Sequence, residues 1–92
     1  RPAELENRRE LKITIPEDLD YTGLFDDLMY QYTRESALMQ VKTANMGSLY
    51  SLIYEIRLKS SNKEKEFIDQ LRCRNGNLDI VCGRVPNAKE TL

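Results

Sequence analysis

Apolar and polar residues alternate with period two along most of this chain, and two stretches of helical spacing interrupt the alternation. Leu11, Ile13 and Ile15 alternate with Lys12 and Thr14 and stop at Pro16, which predicts a first strand with one apolar face. Leu24, Phe25, Leu28, Met29 and Tyr32 then fall at i, i+1, i+4, i+5 and i+8, the stripe of an amphipathic helix, with Asp26 and Asp27 on its wet side. Alternation returns over residues 37–43, with Met39 and Val41 on one side and Gln40 and Lys42 on the other, and predicts a second strand. Asn45-Met46-Gly47-Ser48 has the chemistry of a hairpin turn, and Tyr50, Leu52, Tyr54, Ile56 and Leu58 form the longest period-two run in the chain. A strand with so long an apolar face belongs in the middle of a sheet.

Phe67, Ile68 and Leu71 predict the second helix. Ser60, Ser61 or Asn62 can cap its start, Glu64 and Glu66 suit its positive end, and Arg72 and Arg74 suit its negative end. Gly76 supplies the left-handed backbone that ends many helices, after which Leu78, Ile80 and Cys82 alternate as a last strand over residues 78–83. The order is βαββαβ. Right-handed crossovers then put both helices on one face of a four-stranded antiparallel sheet with the first and third strands central. The expected fold is an α+β sandwich of ferredoxin-like or ACT-like type over residues 11–83. Residues 1–10, highly charged, read as a linker from a preceding segment, and residues 84–92 as a polar tail. The open sheet face should carry Lys12, Thr14, Ile53, Glu55, Arg57 and Val81, a mixed surface that suits water or a partner.

Ninety-two residues suffice for one core, and the composition, 40% hydrophobic and 32% charged, is that of a globular domain rather than a disordered one. A net charge of −1 gives no field to gather nucleic acid or an anionic membrane, so a nucleic-acid partner is not expected. Two cysteines, Cys73 and Cys82, cannot build a disulfide framework or a four-ligand zinc site, and free thiols are expected. The chain has no histidine, which removes the commonest general base and transition-metal ligand. No apolar run approaches the roughly 20 residues of a membrane helix, and no secretory signal is expected.

Two segments invite a chemical reading. Residues 18–29 resemble the first half of a calcium loop, with oxygen-bearing side chains at positions 1, 3, 5 and 9 and Gly23 at position 6, but Met29 stands where the bidentate glutamate is required. Asp18 or Asp20 as a helix cap accounts for the same residues, and no metal site is expected. The turn Arg72-Cys73-Arg74-Asn75-Gly76-Asn77 gathers two cations and two amides, so Arg72, Arg74, Asn75 and Asn77 are the candidate contacts for a ligand or partner, although capping alone would choose the same residues. Cys73 has no base to activate it, Asp26 and Asp27 diverge by about 100° on a helix, and the five tyrosines suit the edge of a core. No catalytic residue and no cofactor are expected. Pro16-Glu17-Asp18-Leu19 is not the CxxC of a copper chaperone, Lys12, Thr14, Ile53 and Glu55 are not the stacked aromatics of an RNA-recognition module, and no glycine-rich phosphate loop follows Ile15 as acylphosphatase chemistry needs.

Several whole phrases carry a family likeness: residues 10–21 (ELKITIPEDLDY) with Phe25-Asp26-Asp27-Leu28, then Val41-Lys42-Thr43 and Asn45-Met46-Gly47-Ser48-Leu49, and finally Lys65-Glu66-Phe67-Ile68-Asp69 with residues 71–78 (LRCRNGNL). Over residues 7–82 they resemble the C-terminal part of a bacterial membrane-protein family catalogued as domain of unknown function 4956. The resemblance implies a preceding membrane region of several helices, a position on the cytoplasmic side, and an association with polyphosphate polymerase domains of the VTC type. It supplies no catalytic residues. A more distant likeness is to the ACT-like cytoplasmic tails of MgtC-type membrane proteins. The expected function is therefore that of a non-enzymatic interaction or regulatory domain acting through a protein partner or self-association. The alternative is an ACT-like sensor that holds a small molecule at a subunit interface.

Overall fold

The computed structural model describes residues 7–85 and contains six main elements. They are β1 (Arg8–Pro16), α1 (Asp26–Tyr32), β2 (Thr33–Ala44), β3 (Leu49–Leu58), α2 (Glu64–Arg72) and β4 (Ile80–Arg84), with 3-10 turns at Asn45–Gly47 and Ser61–Lys63. The strands form one antiparallel sheet in the order β2-β3-β1-β4, so β3 and β1 are central. This is the ferredoxin-like α+β architecture that the alternation of apolar positions predicts.

The core follows from strand parity. Opposite residues in an antiparallel ladder share a face, and Leu11, Ile13 and Ile15 of β1 stand opposite Tyr54, Leu52 and Tyr50 of β3. Those residues meet Phe25, Leu28, Met29 and Tyr32 from the first helical region and Phe67 and Leu71 from α2, with Ile56 and Leu58 completing a single cluster. The Tyr32 and Phe67 rings lie 5.1 Å apart between the two helices, and the Tyr32 hydroxyl donates to Glu66 Oε2 at 2.6 Å. The opposite face carries Lys12 opposite Ile53 and Val81, and Glu55 and Arg57 farther along β3, as expected of the open side.

Several boundaries differ from the sequence reading, and β4 runs Ile80–Arg84 rather than over residues 78–83, so that it takes in the first residue of the expected tail. β1 begins at Arg8, within the stretch that reads as a linker, because Arg9 continues the parity of Leu11 and Ile13 onto the helix side. There its guanidinium is buried and donates from Nε and Nη2 to Glu64 Oε1 at 3.3 and 3.2 Å. β2 begins at Thr33 rather than residue 37: the Thr33 hydroxyl donates to the Met29 carbonyl at 2.6 Å, and the chain passes from α1 directly into the sheet. The expected alternation of Met39 with Val41 is interrupted. A bulge between Leu38 and Gln40 takes Met39 out of the ladder and leaves Leu38 and Val41 on the helix side, opposite Tyr54 and Leu52. The remainder of the expected linker, residues 1–6, and of the expected tail, residues 86–92, lies outside the described residues.

Candidate functional site

The turn after α2 is built as a helix terminator. Gly76 has φ +75°, and the Asn77 N–H donates to the Arg72 carbonyl at 3.2 Å, the six-to-one bond of a Schellman motif. The four candidate residues do come together there, but each is engaged by the fold. Arg72 Nε donates to Asn77 Oδ1 at 2.9 Å. Asn75 is fully buried, and its Nδ2 donates to the carbonyls of Thr14 at 2.8 Å and Leu78 at 3.2 Å, which ties the turn to β1. Arg74 grips Asp27 through two bonds of 2.5 and 2.8 Å and also donates to the Leu24 carbonyl at 3.0 Å. This bidentate hydrogen bond, with the guanidinium charge behind it, holds the Asp27 carboxyl down at about 2. The pair joins the start of α1 to the end of α2.

The acidic segment before α1 is likewise structural in form. Asp20 Oδ1 accepts from the Thr22 N–H at 3.0 Å, an Asx turn that lowers the carboxyl's pKa, and Gly23 carries the chain through φ +70°. Asp20 does not cap α1, whose N-cap position is Phe25 with no side-chain bond. At the second helix, Ser60 accepts from the Asn62 N–H at 3.3 Å, so one of the three expected capping residues acts at the 3-10 turn that leads into α2. No group of three or more metal-binding side chains occurs among the described residues. Both thiols are free; Cys73 is exposed, and burial with Glu64 nearby pushes Cys82 up to about 12, which keeps it a neutral packing residue.

A different region is open. α1 has seven residues and is about 10 Å long at 1.5 Å per residue. β2 beside it has twelve and runs roughly 40 Å. One short helix cannot cover that strand, and the helix-side face of β2 emerges beyond it. Leu38 and Val41 on this face are 41% and 38% exposed, and Met39 in the bulge is 61% exposed. A groove of about 350 Å³ lies between the α1 region and β2, lined by Tyr21, Asp26, Met29, Ser36, Leu38 and Tyr54. Burial raises the Tyr54 phenol above its ordinary pKa, and the Asp26 carboxylate and Tyr21 add to the rise, so the groove combines aromatic walls with one negative charge. A shallower hollow of about 330 Å³ continues along Tyr30, Arg34 and Glu35 and shares Asp26, Met29 and Ser36 with it.

Sequence reasoning missed this surface because Arg34, Glu35 and Ser36 show no alternation and because the bulge is invisible in composition. The visible signal was the brevity of the α1 stripe against the length of chain that follows it. Neither the models of known protein families nor the curated proteins include a match to this chain.

Proposed function

We propose that this chain is a non-enzymatic interaction domain, the cytoplasmic part of a bacterial integral membrane protein, which engages a protein through the β2 edge and the groove behind it. The supporting observation is the uncovered apolar row of Leu38, Met39 and Val41 on an edge strand that the short α1 leaves bare. Exposed apolar residues grouped on one strand, rather than scattered singly, mark contact surfaces. The family resemblance supports a membrane-bound parent and a polyphosphate polymerase of VTC type as its partner. Among the described residues no helix is long and apolar enough to cross a membrane; the reading assigns the anchor to another part of the parent.

The test is co-purification of the full-length parent with the polymerase. The Leu38→Asp/Val41→Asp variant should lose the partner while its melting temperature stays near that of the parent. Retention of the partner by the variant, or absence of association in both, overturns the reading.

The groove favours a second reading, an ACT-like small-molecule sensor. Tyr21, Asp26 and Tyr54 offer a cationic ligand a carboxylate between aromatic walls. A ligand at 100 times its dissociation constant adds about 2.7 kcal/mol to stability. A thermal-shift screen of small amines should then show a rise that Asp26→Asn removes. Identical shifts in both proteins exclude the groove.

A further inference from the structure

We infer that the occupant of the β2 edge is a second copy of this chain, paired antiparallel to the first about a twofold axis between Leu38 and Met39, to make one eight-stranded sheet. The inference rests on the reading above that the β2 edge is a contact surface, and it assigns that edge to self-pairing, which leaves the groove behind it for the polymerase.

The first support is where the free edges lie. The sheet ends in β2 on one side and β4 on the other, and β4 has five residues against the twelve of β2. Residues Arg34 to Thr43 are exposed throughout. The outward backbone groups of such a strand are a template for another strand.

The bulge supplies the second support. Ser36 and Leu38 before it, and Val41 and Thr43 after it, all stand opposite helix-side residues of β3, whereas Glu35, Ala37, Gln40 and Lys42 stand opposite outer-face residues. The parity of the strand therefore switches at Met39. When two copies pair antiparallel, residues brought opposite each other must share a face. About the proposed axis Glu35 meets Lys42, Ser36 meets Val41, and Ala37 meets Gln40, and in each pair both members lie on one face. A strand without the bulge would mismatch every pair in this register. A bulge normally blunts an edge against indiscriminate pairing; here it restricts pairing to registers that join the first half of one copy to the second half of the other.

Charge selects among those registers. Only about this axis do both Glu35 residues face the Lys42 of the other copy, giving two reciprocal ion pairs on the outer face. Glu35 already accepts from Arg57 Nη2 at 2.6 Å, so each new pair would complete a row of Arg57, Glu35 and Lys42 across the joined sheet. On the helix side, Ser36 meets Val41 on each side of the axis, which draws Leu38 and Val41 of both copies together and covers the row that α1 leaves bare. Shifting the axis by one residue sets Glu35 against Ala44 and Lys42 against Ala37, and the ion pairs are lost.

The measurement is the mass of the chain in solution by sedimentation equilibrium across a concentration series, with thermal melts of every variant to verify folding. The parent sequence should sediment as a monomer and dimer in equilibrium. Lys42→Glu should weaken the dimer by about tenfold or more through two like-charge contacts, Glu35→Lys should do the same, and the charge-swapped Glu35→Lys/Lys42→Glu protein should recover it. Lys42→Glu carries the decision if Glu35→Lys, which meets Arg57, melts early. A parent chain monomeric throughout, a dimer indifferent to Lys42→Glu, or a swap that fails to restore association overturns the inference. If these fail while the full-length protein still loses the polymerase through Leu38→Asp/Val41→Asp, the interaction reading survives without self-pairing. If both experiments fail, the β2 edge is not a contact surface.

Discussion

The two helices lie on the same face of one sheet, yet they close it to different degrees. Around α2, buried Arg9 reaches Glu64, Asn75 binds two backbone carbonyls, and Phe67 and Leu71 are inaccessible to solvent. Around α1, Phe25, Leu28 and Met29 are buried, but Leu38 and Val41 one strand farther out are not. The difference is one of length and anchoring: α2 and the turn after it are tied to β1 through Glu64 and Asn75, whereas α1, seven residues long, is too short to reach along the edge strand. Stability concentrates where buried donors reach partners and apolar groups are enclosed, although Asn75 Oδ1 is buried without a hydrogen-bond partner, and the other region is left free for contact.

Substitutions should report that division in order of size. Ile56, 3% exposed on central β3, should cost about 2 to 5 kcal/mol on replacement by alanine. Chemical denaturation measures this directly, and a loss below about 1 kcal/mol would show that the core is not organised around this strand. Asn75→Ala should cost about 1 to 3 kcal/mol, because the Thr14 and Leu78 carbonyls lose their donor inside the protein. Gly76→Ala should cost about 1 to 2 kcal/mol through left-handed backbone strain. A new Cβ there would meet nothing nearer than Pro16 Cγ at 3.8 Å, so backbone strain is the whole of the expected effect.

Acid should act through the ties between the helices. Asp27 is held at about 2 by Arg74, and the Tyr32 hydroxyl with Lys63 lowers Glu66. A carboxylate depressed in the folded state adds stability above its unfolded pKa and loses it as pH falls through the folded value. For Asp27 the window runs from the ordinary 3.8 down to about 2. Stability against pH should flatten over that interval in Asp27→Asn, and an unchanged slope would mean that the Arg74 contact contributes nothing. The smallest effect belongs to the open region: Val41→Ala should change stability by less than about 0.5 kcal/mol, the range of surface substitutions, and a cost like that of Ile56→Ala would erase the comparison.

The fold was legible where one face of an element is wet and the other dry. Leu11, Ile13 and Ile15, the run from Tyr50 to Leu58, and Gly76 announce their roles through spacing and backbone preference. Arg9 was legible in parity but concealed by its charge, since a buried guanidinium is recognisable only with Glu64 opposite it. Asn75 read as a candidate ligand or partner contact because nothing in the sequence says that the Schellman turn folds it inward against Thr14. The β2 edge was hardest to read: a strand exposed on both faces has no periodicity to display, and the bulge at Met39 shifts the little that Leu38, Met39 and Val41 show.

Backbone amide exchange followed against protein concentration tests the central claim, that two copies meet through the region left open by α1, more directly than any substitution. Amides of β1 and β3 should be protected at every concentration, because they lie inside the sheet. Outward-facing amides of β2 between Glu35 and Lys42 should exchange fast in dilute protein and become protected as concentration rises, with β4 unchanged. Protection that grows at β4 instead, or β2 amides that exchange equally fast at all concentrations, would contradict the account.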